Sequence, residues 1–236
     1  MIERPARAMV VTAHPDDEIG CAGTVALWTG EGTEVAFVVC TNGNKGTEDP
    51  EMTPERLAKI REEEQRNACR ELGVSDVVFL GYPDGELEDT RKLRMEIVRE
   101  IRRFRPDVVF THSPLNSMRH THRDHRMCGT ATLDAIFPYA RDPLHFAELT
   151  QQGYQPHKVG TALLWSSSTP NEYVDISRTV EQKRQAMLQH RSQFVDRPSR
   201  DPNREPAWFV VEGAKRLGEQ AGLEYAEAFH KLTFRS

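Results

Sequence analysis

Short apolar runs alternate along the chain with longer segments in which apolar positions recur every three or four residues. The short runs are typical of buried strands, and the periodic segments are typical of helices that pack on a sheet. Prolines and glycines mark several of the boundaries, as they do at helix termini. For the first half we predict strands at 8–13, 33–41, 76–80 and 107–111, and helices at about 18–29, 54–72 and 90–104.

This alternation of strand and helix predicts an α/β fold, with a mainly parallel sheet and helices on both faces. No repeat, low-complexity segment or linker divides the chain, and 236 residues suit one domain with a sizeable core. We therefore expect a single domain over residues 1–236. In the less regular second half we predict a strand at 158–165, helices at 177–193 and 207–220, and a closing strand at 225–234.

Composition narrows the classes of function. The formal net charge of −5 argues against a nucleic-acid partner. No window approaches eighteen consecutive apolar residues, and the first residues lack a signal-peptide pattern, so we expect no membrane span. The four cysteines have no paired spacing, which is typical of reduced, buried thiols in a cytoplasmic protein. The sequence is compatible with a homo-oligomer. The cysteines are Cys21, Cys40, Cys69 and Cys128.

Polar side chains gather where the first four predicted strands end. His14-Pro15-Asp16-Asp17 follows the first strand, Asn42 the second and Asp84 the third. The fourth strand leads through His112 into His122-Arg123-Asp124-His125. Ligands of open α/β sheets bind in the crevice at the carboxyl ends of the strands. The sequence therefore predicts a functional site at this edge.

The residue types at this edge suit a divalent metal. A catalytic zinc typically has three protein ligands with nitrogen, oxygen or sulfur donors, plus a water, and His14, Asp17 and His125 would supply the three. A bound ion lowers the pKa of its water to about 7. We therefore expect one zinc ion per chain and a metal-assisted hydrolase.

Three further side chains complete the predicted chemistry. Asp16 lies beside the ligand pair and is free to act as general base. His122 is the candidate to polarise a carbonyl oxygen and to protonate a leaving amine, and Asp124 lies near enough to orient it and favour its charged form.

Each motif alone has a structural interpretation. The His-Pro-Asp-Asp segment can be a helix cap, because Asp is favoured at the N-cap and in the first turn. An isolated His-x-x-His is usually two surface histidines on one helix, and Cys128 is better interpreted as a small buried helix residue than as a ligand. The joint occurrence at two strand ends favours a site.

Arg61 and Glu64 fall within the apolar stripe of the helix predicted at 54–72. Charges in such a stripe are costly unless they are paired or used. Either Arg61 points over the site and binds a substrate carbonyl or a carboxylate product, or it forms an i,i+3 ion pair at the edge of the buried face. Spacing alone does not decide between them.

Together these motifs resemble the PIG-L/LmbE-like zinc deacetylases. The resemblance is close over residues 8–130, where the first and last motifs are the most specific, and it continues thinly through Lys183, His190 and Ser192-Gln193. It is carried by Ala-His-Pro-Asp-Asp-Glu at 13–18, Thr41-Asn42-Gly43, Arg61-x-x-Glu64, Leu80-Gly81-Tyr82-Pro83-Asp84-Gly85 and His122-x-Asp124-His125.

The resemblance implies a Rossmann-like sheet and zinc-dependent removal of an acyl group, usually acetate, from an N-acylated amino sugar. It assigns zinc binding to His14, Asp17 and His125. It also implies that Arg61 contacts the acetyl end or the product acetate, and we count Asn42 and Asp84 as substrate-binding candidates. The remaining roles are Asp16 as general base and His122, supported by Asp124, as the group that stabilises the oxyanion or acts as acid.

Two positions qualify this assignment. Arg123 stands where a proline is common in the family, which should alter the stiffness of the loop rather than its chemistry. His120 is a stand-in candidate for His122, which we prefer because only its spacing to His125 fits.

The loops expected to select the substrate carry several arginines. These side chains either hold a phosphate or carboxylate of the substrate or form a solvated surface, which we favour. N-acetylglucosamine, chitobiose-like oligosaccharides and thiol-conjugated sugars remain candidate substrates, whereas a membrane glycolipid is disfavoured. The loop residues are Arg119, Arg141, Arg197, Arg200 and Arg204, with Trp208 just beyond.

Two other classes of function compete. Some proteins that resemble the family are lyases that hydrate a dicarboxylic acid with the same metal and carboxylates. A non-catalytic sugar- or nucleotide-binding module is disfavoured because every expected catalytic position is filled. A nicotinamide enzyme is disfavoured because no G-x-G-x-x-G segment follows the first strand.

Overall fold

A computed structural model describes residues 2–116, 120–196 and 204–234. The strands are β1 (Arg7–Thr12), β2 (Glu34–Thr41), β3 (Asp76–Tyr82), β4 (Val108–His112), β5 (Thr161–Trp165), β6 (Glu172–Asp175) and β7 (Ala226–Thr233). The helices are α1 (Ala22–Gly30), α2 (Pro54–Glu71), α3 (Arg91–Phe104), α4 (Arg123–Asp134), α5 (Ala147–Gln151), α6 (Val180–Leu188), α7 (Arg191–Phe194) and α8 (Trp208–Ala221). A 3-10 turn, Asp17–Gly20, precedes α1, and an irregular helical segment, Ala135–Ala140, follows α4.

The seven strands form one sheet in the order β3-β2-β1-β4-β5-β7-β6. Strands β1 to β5 are parallel, and β7 runs antiparallel to both β5 and β6. The predicted α/β fold with a mainly parallel sheet is therefore confirmed. From β1 the chain builds outward to β2 and β3 on one side and then crosses to β4 on the other. The gap between β1 and β4 is the topological switch point, where ligands of such sheets bind.

Alternate strand residues face two separate apolar cores, one on each side of the sheet. Ala8 and Val10 of β1 pack with α1, α2, α6 and α8, whereas Met9 and Val11 pack with α3, α4 and α5. All four side chains are fully buried. Strands covered on both faces read as continuous apolar runs, which is why β1 and β2 are visible in the sequence.

Side-chain caps explain why the two long helices begin where predicted. Thr53 accepts a hydrogen bond from the backbone N–H of Arg56 at 3.3 Å, directly before Pro54. Thr90 accepts one from Leu93 N–H at 3.1 Å. A threonine at the N-cap satisfies a backbone donor that the first turn leaves free. Helices α2 and α3 thus match the predictions at 54–72 and 90–104.

Two predicted helices are wrong as continuous elements. The helix expected at 18–29 is divided into the 3-10 turn and α1, because the Asp17 carboxylate accepts the His14 backbone N–H at 2.6 Å and tightens the turn. The helix expected at 177–193 is divided into α6 and α7 at His190, whose side chain turns inward to Glu18. The short elements β6 and α5, and helix α4, were not predicted.

Among the described residues, no helix is long and apolar enough to cross a membrane.

Candidate metal centre

The predicted site residues meet at the switch point of the sheet. His14 and Asp17 follow β1, His112 ends β4, and His125 lies in the first turn of α4. Among the described residues are three overlapping groups of histidine and carboxylate side chains. Within each group, the ligand atoms lie within 4.8 Å of one another. These groups are His14, His122 and His125; Asp17, His112 and His125; and His14, Asp84 and Asp124.

The loop after β1 has a strained backbone that brings its side chains into the site. Asp16 has φ 92°, a left-handed conformation that is uncommon outside glycine. Its backbone N–H donates to Gln65 Oε1 at 3.1 Å, and the carbonyl of Pro15 accepts from Arg61 Nη2 at 2.6 Å. Strain of this kind persists where surrounding contacts hold it, and such positions cluster at functional sites.

The three predicted ligands lie in mutual contact through both oxygens of Asp17, although no one of the three groups above contains all of them. His14 Nδ1 lies 3.2 Å from His125 Nε2 and 3.3 Å from Asp17 Oδ2, and His125 Nε2 lies 3.0 Å from Asp17 Oδ1. Ligand atoms about 2.0–2.1 Å from a tetrahedral zinc are roughly 3.3 Å apart. Two imidazoles and one carboxylate are a donor set that zinc accepts. The residues present therefore fit a divalent ion.

His14 is oriented by carboxylates behind it. Its Nε2 lies 3.1 Å from Asp84 Oδ1 and 3.2 Å from Asp124 Oδ2, so the ring proton belongs on Nε2 and the lone pair of Nδ1 faces the other ligands. Such carboxylate–histidine pairs hold metal ligands in one tautomer. Burial lowers the pKa of His14, but Asp17 and the hydrogen bonds to Asp124, Asp17 and Asp84 outweigh it and raise it to about 12. The surroundings strongly favour positive charge at this point.

Asp124 does not take the place we expected. Its fully buried carboxylate accepts hydrogen bonds from Gly85 N–H at 2.7 Å and Leu87 N–H at 3.2 Å, and it contacts His14 rather than the His122 ring. Burial raises the pKa of Asp124, but the hydrogen bonds from His14 and Gly85 outweigh it and the net shift is downward. Asp124 therefore braces His14.

His122 caps helix α4. Its Nδ1 accepts the backbone N–H of Asp124 at 3.2 Å, so a neutral ring carries its proton on Nε2. Its ring centroid lies 4.7 Å from that of His14. Burial, His14 and His125 lower the pKa of His122, and Asp124 opposes them more weakly. The charged form that we expected from the sequence is thus disfavoured. His120 is directed elsewhere, with Nε2 3.3 Å from Arg126 Nη1.

Asp16 is paired with Arg61 beside the ligands. Arg61 Nη2 donates to Asp16 Oδ2 at 2.9 Å, and Nη1 donates to the carbonyl of Gly43 at 2.9 Å. Burial raises the pKa of Asp16 to about 6, although Arg61 lowers it. Glu64 instead accepts hydrogen bonds from Ser192 N–H and Oγ, both at 2.7 Å. Arg61 and Glu64 thus have different partners, which disfavours the i,i+3 ion pair.

The exits of β2 and β3 are tied together by asparagines. Asn42 Oδ1 accepts the backbone N–H of Asn44 at 3.2 Å, and Asn44 Oδ1 accepts that of Asp84 at 3.1 Å. This chain of contacts fixes Asp84 against His14. The substrate-binding roles of Asn42, Asp84 and Arg61 stay predictions.

His112 was placed at the end of the fourth strand from the sequence but was given no role, although it is central to the site. It is 2% exposed, its Nε2 lies 3.2 Å from Asp17 Oδ2, and its ring stacks on His125 with centroids 4.1 Å apart. Burial lowers its pKa to about 4. Its place at the end of a strand beside the switch point was the signal that could have identified it.

His190 and Gln193, from the C-terminal part of the resemblance, contact the residues and loops around the site. His190 Nε2 lies 2.6 Å from Glu18 Oε1, and both side chains are fully buried. Gln193 Nε2 donates to the carbonyl of Gly46 at 3.1 Å. Burial lowers the pKa of His190, but Glu18 and Asp16 outweigh it and the net shift is upward. These residues hold the loops around Asp16 in place.

The loop arginines have other partners than the site, where the structure describes them. Arg141 Nε donates to Asp142 Oδ1 at 2.8 Å, and the Arg204 guanidinium lies 3.9 Å from the Trp208 ring centroid. Arg119, Arg197 and Arg200 lie outside the described residues.

Fold and site together define an α/β protein with a histidine–carboxylate centre able to hold a metal at the switch point of its sheet. Residues 9–136 match the family described as PIG-L: GlcNAc-PI de-N-acetylase, and the chain belongs to this family. The resemblance that the motifs carry is thereby confirmed.

A similar relative and a similar solved structure are both named as deacetylases. The chain is 32% identical over 227 residues to the diacetylchitobiose deacetylase of Thermococcus kodakarensis, covering 94% of this chain and 81% of the relative. The structure of N,N'-diacetylchitobiose deacetylase from Pyrococcus horikoshii superposes with a TM-score of 0.88 at 30% identity, covering 97% of this chain and 84% of that one.

The fold alone is also shared with a protein of different chemistry. The 4-carboxy-2-hydroxymuconate hydratase GalB from Pseudomonas putida superposes with a TM-score of 0.79 at 20% identity, covering 98% of this chain and 97% of that one. At this identity the likeness does not extend to activity.

Proposed function

We propose that this protein is a zinc-dependent N-deacetylase that removes an acetyl group from an N-acetylglucosamine-type sugar or a conjugate of one. The observation that carries the proposal is the close approach of His14 Nδ1, His125 Nε2 and the Asp17 carboxylate. Its contacts are 3.0–3.3 Å long, with Oδ2 of Asp17 toward His14 and Oδ1 toward His125, and Asp16 lies beside them. Membership of a family whose relatives are deacetylases supports the choice of reaction.

His14, Asp17 and His125 would hold the ion. When bound, zinc supplies a Lewis acid for the amide carbonyl and makes hydroxide available near pH 7. Two nitrogen donors and one oxygen donor favour zinc over magnesium or calcium, which prefer all-oxygen sites. We assign one ion per chain.

Asp16 acts as the general base in this proposal. Arg61 holds its Oδ2 at 2.9 Å, so the other carboxylate oxygen is left to accept a proton from the attacking water. The side chain is 19% exposed, which gives water and substrate access to it. The same proton can then be delivered to the leaving amine, so one carboxylate serves both steps.

His122 stabilises the developing oxyanion as a neutral donor. Its Nδ1 accepts the Asp124 N–H, so Nε2–H is the end available to a substrate oxygen. A preorganised donor of this kind is worth more in the transition state than in the ground state. This role needs no positive charge on the ring, in contrast to the sequence-based expectation.

We further propose that Arg61, Asn42 and Asp84 shape the substrate end of the site. The proposed partner is a small N-acetylated sugar in the cytoplasm, a location supported by four free, buried cysteines. Of the loop arginines that the structure describes, Arg141 pairs with Asp142 and Arg204 lies on the Trp208 ring, so these two contacts do not favour the hydratase alternative.

The decisive experiment measures free-amine release from N-acetylglucosamine, its short oligomers, and phosphorylated and thiol-conjugated forms. Zinc-loaded wild type is compared with zinc-loaded Asp16→Asn, which keeps the size of the side chain. Release of amine and acetate in equal amounts by wild type alone supports the proposal. No release from any substrate, with zinc demonstrably bound, contradicts it and directs the next assay to hydration of unsaturated dicarboxylic acids.

A further inference from the structure

Both ring nitrogens of His112, at the end of β4, contact protein atoms. Its Nδ1 lies 3.1 Å from the indole Nε1 of Trp165, on the neighbouring strand β5. Its Nε2 lies 3.2 Å from Asp17 Oδ2. Trp165 is 3% exposed, so neither ring has water as an alternative partner. The contacts of this histidine are therefore set by protein atoms.

The indole partner determines where the His112 proton lies. An indole N–H is only a donor, so it requires a lone pair on Nδ1, and the proton of a neutral imidazole is then on Nε2. The backbone N–H of Ala13 also points at Nε2, at 3.2 Å, and this tautomer offers it no lone pair. The opposite tautomer is worse. It would place Nδ1–H against the indole N–H of Trp165, and the lone pair of Nε2 against Asp17 Oδ2.

Two glycines permit the close packing around these rings. A Cβ on Gly20 would come within 2.4 Å of the Trp165 ring. A Cβ on Gly129, in α4, would come within 2.4 Å of the His112 carbonyl oxygen. The close approach at Gly129 also brings α4 near enough for His125 to stack on His112. Tightly packed surroundings thus hold both rings in one orientation.

We propose that His112 is a positioning residue, held in its Nε2–H tautomer by Trp165, that anchors Asp17 Oδ2 and directs Asp17 Oδ1 toward the metal. Asp17 Oδ1 faces His125 Nε2 at 3.0 Å, whereas Oδ2 receives the His14 backbone N–H at 2.6 Å and lies 3.3 Å from His14 Nδ1. His112 is not itself a ligand, because neither ring nitrogen keeps a free lone pair. The inference rests on the proposed function only in requiring a metal at His14, Asp17 and His125.

The first test measures the zinc dissociation constant of metal-free protein by competition with a chromophoric chelator. His112→Leu removes the donor but fills the space, whereas His112→Gln offers an amide N–H near the position of Nε2. Loss of a partner that orients a metal ligand typically costs about 10–100-fold in affinity. We expect that loss for His112→Leu, a few-fold change for His112→Gln, and an intermediate loss for Trp165→Phe.

The second test observes the tautomer directly. Ring ¹⁵N chemical shifts of metal-free wild type should show the His112 proton on Nε2, and Trp165→Phe should populate the other tautomer. A proton on Nδ1 in wild type overturns the inference, even if His112→Leu fails to fold. Urea unfolding of the metal-free variants distinguishes a purely structural role of His112 from a positioning role. A purely structural role would lower the free energy of unfolding without changing the zinc affinity of the folded protein.

The outcomes also separate this inference from the proposed function. Absence of zinc binding by wild type contradicts the proposed function and the inference with it. Wild-type binding together with unchanged affinity in His112→Leu overturns the inference alone.

Discussion

Asp16 and Asp17 are adjacent carboxylates in opposite environments. Burial raises the pKa of Asp16 to about 6. Burial also raises the pKa of Asp17, but His125, His112 and His14 outweigh it and lower the pKa well below the usual range. A carboxylate surrounded by three imidazoles is suited to bind an ion, and one held at its edge by an arginine is suited to exchange a proton. Their division of labour follows from their neighbours rather than from their chemistry.

Asp16→Asn should therefore separate catalysis from metal binding. The amide keeps the size of the side chain but cannot accept a proton from water, so we expect kcat to fall by about 10²–10⁴-fold. The zinc content should stay near that of wild type, because His14, Asp17 and His125 are unchanged. Metal analysis and steady-state kinetics on one preparation test both points. Wild-type kcat in this variant would remove Asp16 from the mechanism.

Arg61→Lys should alter the pH dependence of activity. The guanidinium contacts Asp16, Pro15 and Gly43 at once, which an ammonium cannot reproduce. The charge of Arg61 lowers the pKa of Asp16, and the shorter lysine should hold its charge farther from the carboxylate, so the pKa of Asp16 should rise. Asp16 then stays protonated up to a higher pH, so the acidic limb of the kcat/KM profile should shift to higher pH.

The matched control for this prediction is Arg66→Lys, on the same helix. Arg66 is 41% exposed and pairs with Glu62, so the substitution should leave the pH profile of wild type intact. An unmoved acidic limb in Arg61→Lys would mean that the Asp16–Arg61 contact does not set the state of the base.

At the scale of elements, local signals account for what the sequence predicted correctly. Helices α2 and α3 carry threonine caps and β1 and β2 are continuous apolar runs, so each is recognisable in isolation. The break at His190 depends on Glu18, a residue far away in sequence, and no local pattern marks it. The sequence placed His112 at the end of a strand but gave it no role, because its contact with Trp165 of β5 joins residues that are distant in sequence. Candidate ligands can be predicted from motifs, whereas the residues that contact and orient them are recognisable only in the folded structure.

Glu227 of β7 joins three elements through one buried carboxylate. It accepts the N–H groups of Gly23 and Thr24 at the start of α1, both at 2.8 Å, and Lys183 Nζ of α6 at 2.6 Å. Glu227→Gln leaves the Lys183 charge buried without its counter-ion. We expect a loss of roughly 3–5 kcal/mol in the free energy of unfolding, measured by urea denaturation.

Two further variants test the cause of that loss. Glu181→Gln, on the exposed side of α6 with 65% of its side chain accessible, should change stability by less than about 0.5 kcal/mol. Adding Lys183→Met to Glu227→Gln removes the unpaired charge and should recover part of the stability. A double variant no more stable than the single one would assign the loss to the α1 contacts instead.

At the scale of the whole molecule, the candidate metal centre joins segments that are distant in sequence. His14 and Asp17 follow β1, whereas His125 lies 111 residues from His14 and is carried on α4. A ligand that binds only the folded state stabilises it by about 2.7 kcal/mol at a free concentration 100 times its dissociation constant. Zinc should thus raise the Tm of wild type, by an amount that grows with the logarithm of its free concentration. Differential scanning calorimetry of metal-free protein titrated with zinc measures this increase in Tm.

His125→Ala should lose most of the zinc-dependent increase in Tm, whereas Asp16→Asn should keep it. A zinc response of His125→Ala equal to that of wild type would place the ion elsewhere in the molecule.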